Sequence, residues 1–468
     1  MIVLTLSQIC EHLRESSHCS KPYELDAIQL QGSDIYIYQL TTDSRHIPKY
    51  GMFVALKGDN FDGHQFAQSA VDNGAVALLV EKRLPINVPQ IVVPDTQTAM
   101  GEIAAFVREF VGPTSVAITG SNGKTSVKEM VATILSQHHS VRYTAGNFNN
   151  EIGVPLTLLR LEMGDEFGVF ELGANHKGEI DYTSALVKPS IAMVNNVASA
   201  HLEGFGSLAG VAAAKSEIFN HLEPDGIAVI NADDDFAQVM HTASENHQQL
   251  TFGIAHAADV MAKSLVSDHL GCYRFELHYN GDICDISLPL AGRHQVSNAL
   301  GASAICLALG LSLNDIKEGL LLLSPVKGRM QPKTLGRVRV IDDSYNANPS
   351  SVTAAVNWLE EIGGNTCLVL GDLAELGDNA SALHEQIGLL AKERGIQNVL
   401  CVGELTQETS RAFGSEHCLN IHQLSHNLIN YINKLPDEVT VLVKGSRSAQ
   451  MERVVEALTV AYGHGEFV

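Results

Sequence analysis

The chain has 468 residues, 45% apolar and 18% charged, the proportions of an ordinary folded protein with material for about three domains. Its formal net charge of -22 opposes phosphate backbones and anionic membrane surfaces, which excludes recognition of nucleic acid or lipid headgroups by long-range charge. No run of 18 apolar residues is present to cross a bilayer, and the opening Met1-Ile-Val-Leu-Thr-Leu6 lacks a basic leader, so a cytoplasmic location without a signal peptide is expected.

Thr5 is expected to cap an amphipathic helix carrying Leu6, Ile9 and Leu13 on one face. Strands follow at Ile35–Tyr38, Met52–Leu56, Ala75–Val80 and Ile91–Val93, with a helix from Asp95 to about Phe110. Residues 1–112 therefore read as a small α/β domain, closed by a Gly112-Pro113 linker. Two polar loops stand at strand ends, Thr41–Arg45 and Lys57–His64, where ligands are commonly held. Read locally, Asp43-Ser44-Arg45 is simply a capped turn. Of the eight cysteines, Cys306, Cys367 and Cys401 sit in apolar runs and none forms a Cys-x-x-Cys pair, the usage of a reducing compartment. Cys10, His12, His18 and Cys19 cluster in sequence, but their spacing matches no zinc pattern.

The central segment opens on Val116-Ala-Ile-Thr-Gly-Ser-Asn-Gly-Lys-Thr-Ser126, a buried strand running into a glycine loop and then a helix. Glycines at 120 and 123 let backbone N–H groups turn inward on an anion, and the helix start adds free donors and a positive dipole end. Lys124 would then reach the β- and γ-phosphates and the Thr125 hydroxyl a Mg²⁺ ion. The usual pattern has glycine where this chain has Ile118. The shortened form arises by chance in about two chains of this length in a hundred; its competing reading is a tight turn with a surface lysine. Strand and helix then alternate, as in a parallel sheet covered on both faces. Phe167–Phe170 leads to Glu171, placed as a Mg²⁺ ligand at a strand end. Ile191–Asn195 leads towards His201, for which a hydrogen-bonding role is as good a reading as a metal ligand. Lys215 lies in a small, apolar helical run, where snorkelling to the surface is the simpler reading. Residues 258–290 alternate polar and apolar, an antiparallel addition, before a helix opened by Ala291–Asn298.

After Ser324-Pro325 the α/β pattern returns, with strands at Val338–Ile341, Thr366–Leu370, Val399–Val402 and Val439–Val443. Their loops collect at strand ends, as in a doubly wound, Rossmann-like sheet. The fold expected is thus α/β in three domains: 1–112, a central phosphate-loop domain of mostly parallel sheet over 113–326, and a Rossmann-like domain over 327–468.

Taken together, Thr119–Ser126, Asn147-Phe-Asn-Asn-Glu-Ile-Gly153, Glu171–His176, Asn298 with its Ala-rich helix, Gly328-Arg329 and Asp342-Asp-Ser-Tyr-Asn-Ala-Asn-Pro349 resemble the Mur ligases of bacterial cell-wall synthesis along essentially the whole chain. That family uses the shortened loop, so Ile118 fits it; Gln295, where many members have Asn, is a small departure. The Asp342–Pro349 run is similar to the member that adds a terminal D-alanyl-D-alanine to UDP-MurNAc-tripeptide through an acyl phosphate. The resemblance implies ATP as co-substrate, held by Thr119, Gly120, Ser121, Asn122, Gly123, Lys124, Thr125 and Ser126. Asn298 and Tyr345 would face the adenine, Asp343 the ribose and Arg329 the γ-phosphate. It implies two Mg²⁺ ions, the first on Thr125 and Glu171 and the second on His201, and a Lys215 carbamylated by CO₂ into a metal ligand, which reverses the snorkelling reading. Lys124, His201 and Lys215 are then the catalytic set. Ser44, Arg45, Asp62, Gly63 and His64 would contact the UDP-sugar, and Asn149, Asn150, Asn175, Asn346 and Asn348 the peptide substrates. A monomer acting on small molecules is expected, with closure of the last domain before chemistry. The alternatives are a sister amide ligase of the Mur or folylpolyglutamate type, or a nucleotide-binding regulatory module that ligates nothing.

Overall fold

The computed structural model describes residues 3–15, 28–58, 61–199 and 202–463. Three sheets organise them. The first domain carries a five-stranded sheet in the order Gln29–Gln31, Gln90–Val92, Ala77–Val80, Gly51–Val54 and Gln39–Thr41, parallel except at the first pair. Thr5 caps the opening helix Leu6–Glu15 as expected: its hydroxyl accepts the Gln8 N–H, and the Gln8 side chain returns the contact to the Thr5 N–H.

The helix Thr96–Val111 ends at Gly112 in a left-handed cap, and the chain turns directly into the strand Thr114–Thr119. This helix joins the first two domains. Leu4, Ile9 and Ile103 share one apolar core with Phe170, Leu186 and Ile230, and the buried Arg108 donates to the Leu186 carbonyl at 3.1 Å.

The central sheet has nine strands. Its order is Val141–Tyr143, Phe167–Glu171, Thr114–Thr119, Ile191–Val194, Ile227–Asn231, Gln248–Gly253, Val260–Ser267, Cys272–Tyr279 and Asp282–Ala291. All pairings are parallel up to Val260–Ser267, and the last three strands form the antiparallel addition expected from their alternation. The strand Thr114–Thr119 lies between Phe167–Glu171 and Ile191–Val194, the place where the strand order reverses and the following loops part to leave a crevice. Helices Lys124–Leu135 and Arg293–Ala308 cover one face of this sheet, burying Val127, Met130 and Val131 with Val296, Leu300 and Ile305.

The last domain is a six-stranded sheet in the order Gln331–Leu335, Val338–Asp343, Val439–Lys444, Asn365–Gly371, Asn398–Val402 and His417–Cys418. Four of these were expected; the two edge strands are additional. Its helix Pro349–Ile362 packs back on the antiparallel part of the central sheet, so that Ala291 and Cys272 belong to the same core as Trp358 and Leu359. No helix among the described residues is long and apolar enough to cross a membrane.

Candidate active site

The carboxyl ends of the central strands and of the last domain's strands face one cavity of about 1130 Å³. On the central side it is lined by the loop after Thr119. Gly123 there has φ +78°, and a Cβ at that position would lie 2.3 Å from the Asn298 Oδ1 and 2.5 Å from the Asn195 Nδ2, so the loop closes only with glycine. Lys124 starts the helix and folds back to donate to the Gly120 carbonyl at 2.7 Å. Burial pulls its pKa down, and the nearby Arg329 adds to that, while the Glu171 carboxylate opposes it.

Parallel register sets Ile118 beside Glu171, which brings that carboxylate to the loop. Glu171 is 2% exposed. One of its oxygens accepts the Thr125 hydroxyl at 2.9 Å and the other the Asn149 amide at 2.8 Å. Its own N–H is anchored on the Thr144 hydroxyl at 3.0 Å. Among the described residues this buried carboxylate forms no ion pair, and hard oxygen donors of this kind suit a Mg²⁺ ion. The residues present therefore fit the cation expected there.

Lys215, on the helix Leu208–Ser216, is 2% exposed, which rules out snorkelling to the surface. It makes no hydrogen bond or ion pair to another described residue. Burial drives its pKa well below the ordinary lysine value, and repulsion from Lys124 adds to this. His201 lies outside the described residues.

The last domain supplies the other wall. Arg329 stacks its guanidinium 4.4 Å over the Tyr345 ring, and the Tyr345 N–H returns to the Gly328 carbonyl at 3.0 Å. Asp343 and Lys444 are register partners on adjacent parallel strands, and they form a buried ion pair. The other Asp343 oxygen accepts the Met330 N–H at 3.1 Å. Asn346 and Asn348 also line the cavity, as do Asn149, Asn150 and Asn175 from the central domain.

The residues expected from the first domain do not line this cavity. Arg45 is exposed and holds Asp43 in a bidentate pair at 2.9 Å through both contacts, so the capped-turn reading describes its geometry in full. The Ser44 carbonyl accepts the Asn73 amide. His64 is buried: its Nε2 accepts the Glu81 N–H at 2.9 Å, which leaves Nδ1 to donate to Asp62 at 2.6 Å. The Gly63 N–H donates to the Leu56 carbonyl. Asp62-Gly63-His64 is thus a built corner, with the faces of Asp62 and Arg45 left to solvent.

Three residues of the site carried no expectation. Asn195 donates to both the Asn122 carbonyl and the Asn298 Oδ1 at 2.9 Å, and Asn196 accepts the Asn122 N–H at 2.8 Å, so the two brace the phosphate loop from the neighbouring strand end. Lys444 neutralises Asp343. Asn195 and Asn196 follow an apolar strand and Lys444 ends one, which was the available signal.

A glycine loop between a parallel strand and a helix, a buried carboxylate beside it, and a second doubly wound domain facing it define a three-domain nucleotide-binding α/β protein. Known proteins give that class a family. The Mur ligase family catalytic domain matches residues 36–108, the Mur ligase middle domain 118–306, and the Mur ligase glutamate ligase domain 328–447. The chain is 47% identical over 461 residues to the UDP-N-acetylmuramoyl-tripeptide–D-alanyl-D-alanine ligase of Escherichia coli K12, covering 98% of this chain and 99% of that one. Crystal structure I of MurF from Acinetobacter baumannii superposes with a TM-score of 0.89 at 36% identity, over 97% of this chain and 98% of that one. MurF ligase from Thermotoga maritima in complex with ADP gives 0.82 at 27% identity, over 91% and 98%. The chain belongs to the Mur ligase family.

Proposed function

We propose that this protein joins D-alanyl-D-alanine to UDP-N-acetylmuramoyl-tripeptide at the expense of ATP, in the synthesis of peptidoglycan precursors. The observation that carries this reading is the meeting, in one cavity, of a phosphate loop with Lys124, the buried Glu171 and the last-domain group Arg329, Asp343 and Tyr345. Likeness to the E. coli ligase along nearly the whole chain, at 47% identity, supports the choice of substrates.

A carboxylate is a poor acyl donor, because oxide is a poor leaving group. In the proposed reaction an oxygen of the tripeptide's terminal carboxylate attacks the γ-phosphorus of ATP and ADP leaves. The dipeptide nitrogen then attacks the acyl carbon, losing a proton, and phosphate departs with the carboxylate oxygen. Lys124 and Arg329 place positive charge where two anions must approach, and the loop's N–H groups hold the phosphates. A Mg²⁺ ion on Thr125 and Glu171 would supply further neutralisation of the phosphates.

Asn298 and Tyr345 are assigned to the adenine and Asp343 to the ribose. Ser44, Arg45 and Asp62 are assigned to the UDP-sugar, through groups their internal contacts leave free. Lys215 is assigned as the site of a carbamate: a buried amine of lowered pKa is the neutral nucleophile that CO₂ requires, and the product is an anion suited to a second cation with His201. The domain limits at 112 and 326 follow the same reading.

Oxygen transfer tests the chemistry. With ¹⁸O in the terminal carboxylate of the tripeptide, one label should appear in the phosphate released on ligation; unlabelled phosphate would rule out the acyl phosphate.

A further inference from the structure

Asn348 begins the helix Pro349–Ile362, where its Oδ1 accepts the Ser351 N–H at 2.9 Å. A backbone N–H only donates, so this contact fixes which end of the amide is oxygen. The Nδ2 end is thereby turned off the helix, and it donates to the Asn122 Oδ1 at 2.8 Å, from the last domain to the middle of the phosphate loop. Asn122 is held from the other side by its backbone. Its N–H donates to Asn196, and its carbonyl accepts Asn195 at 2.9 Å and Asn196 at 3.1 Å. Asn195 in turn donates to Asn298. One residue of the loop thus joins the brace behind the nucleotide site to the domain in front of it.

The same helix is seated on the central domain further along. Trp358 is 2% exposed and packs on Gly271, where a Cβ would lie 2.3 Å from the indole nitrogen. Near the end of the helix, Glu361 accepts the Tyr273 hydroxyl with both oxygens at 2.8 Å. A 14-residue helix is a rod of roughly 21 Å. Its far end rests on the antiparallel addition, and its near end touches the phosphate loop.

We infer that Asn348 is a positioning residue that ties seating of the last domain to the conformation of the phosphate loop, and that it does not hold the incoming dipeptide. This rests on the reading of the loop as the ATP site. Unseating the helix withdraws the donor from Asn122 and leaves the loop braced by Asn195 and Asn196. By reciprocity, ATP on the loop favours the seated domain.

Asn348→Ser isolates the contact. Serine caps a helix about as well as asparagine, so the Ser351 N–H keeps its acceptor, while the shorter side chain carries no donor to the Asn122 Oδ1 and adds no charge beside the loop. Trp358 is the chain's one tryptophan, so its emission reports seating of the helix in the full-length protein. The expected result is a KM for ATP raised about tenfold, an unchanged KM for D-alanyl-D-alanine, and a Tm within about 2 °C of the parent. Trp358 emission should shift to the red without ATP and return at saturating ATP. Asn122→Ala cuts the same bond from the other side and should raise the KM for ATP similarly. The double variant should be no worse than the more impaired single one. Unchanged ATP affinity and emission in Asn348→Ser would overturn the inference, as would additive effects in the double variant or a rise in the dipeptide KM alone. An unmodified protein that binds no ATP would overturn the functional reading itself, which separates that failure from this one.

Discussion

Lys124 and Lys215 are neighbouring amines whose pKa values are both lowered, Lys215 fully buried and Lys124 partly so, and the structure separates their duties. Lys124 leans on the loop's own carbonyl and keeps Glu171 within its field. Lys124→Ala should lower kcat by about a thousandfold, measured by ADP release with all substrates present. Lys215 has no acidic partner among the described residues, and its pKa is depressed from 10.5 by burial. Between that depressed value and 10.5 the folded chain binds fewer protons than the unfolded one, so its stability rises with pH. In CO₂-free buffer, Lys215→Met should therefore be more resistant to urea than the parent near pH 7, with the advantage shrinking as pH approaches 10. A pH-independent difference would contradict the burial of a neutral amine. Gly123→Ala should cost about 1–3 kcal/mol in urea unfolding and abolish ATP binding, because positive φ and the Asn298 contact both oppose a side chain there. At this scale the phosphate loop was legible, since strand, glycines, Lys-Thr and helix are contiguous in sequence. Asn195, Asn196 and Lys444 were not, because their partners Asn122 and Asp343 are reached only through the pairing of strands far apart in the chain.

Elements bring these residues together by register. Ile118 beside Glu171, and Asp343 beside Lys444, are consequences of parallel pairing that no local pattern announces. The central strands themselves were readable as apolar runs between turn signals, and the antiparallel addition as alternation. The edge strand Gln331–Leu335 was not, since Gln-Pro-Lys-Thr-Leu lacks an apolar face and is a strand only because Val338–Asp343 pairs with it. The antiparallel addition seats the last domain, and Tyr273 is its polar anchor. Burial, with Glu361 beside it, raises the Tyr273 pKa to about 12, so the phenol remains a donor throughout the neutral range. Tyr273→Phe should remove about 1 kcal/mol from the attachment of the last domain, visible as faster amide exchange along Pro349–Ile362. Faster exchange confined to the antiparallel strands Val260–Ser267, Cys272–Tyr279 and Asp282–Ala291 would contradict that placement of the anchor.

On the scale of the whole molecule, a net charge of -22 must be overcome locally wherever anionic substrates bind. The cavity does this with Lys124 and Arg329 on facing walls, Lys444 being taken up by Asp343. Arg329 comes from the last domain, so the phosphate site is complete only when that domain is seated. The sharing of nucleotide contacts between domains predicts closure of the last domain before chemistry but not its resting arrangement, and the joint core of the first and central domains carried no expectation. Gly112-Pro113 read as a linker, yet Arg108 and Ile103 bury the preceding helix against central-domain residues. The first domain is thus fixed to the phosphate-loop domain, and the last domain is the part positioned to report on nucleotide. The most direct test of the whole account is acceptor-dependent ADP release from ATP in the presence of UDP-MurNAc-tripeptide. The account predicts release that requires D-alanyl-D-alanine and yields the pentapeptide product one for one. Release supported instead by glutamate or a diamino acid, or ATP binding with no acceptor-dependent turnover, would contradict it.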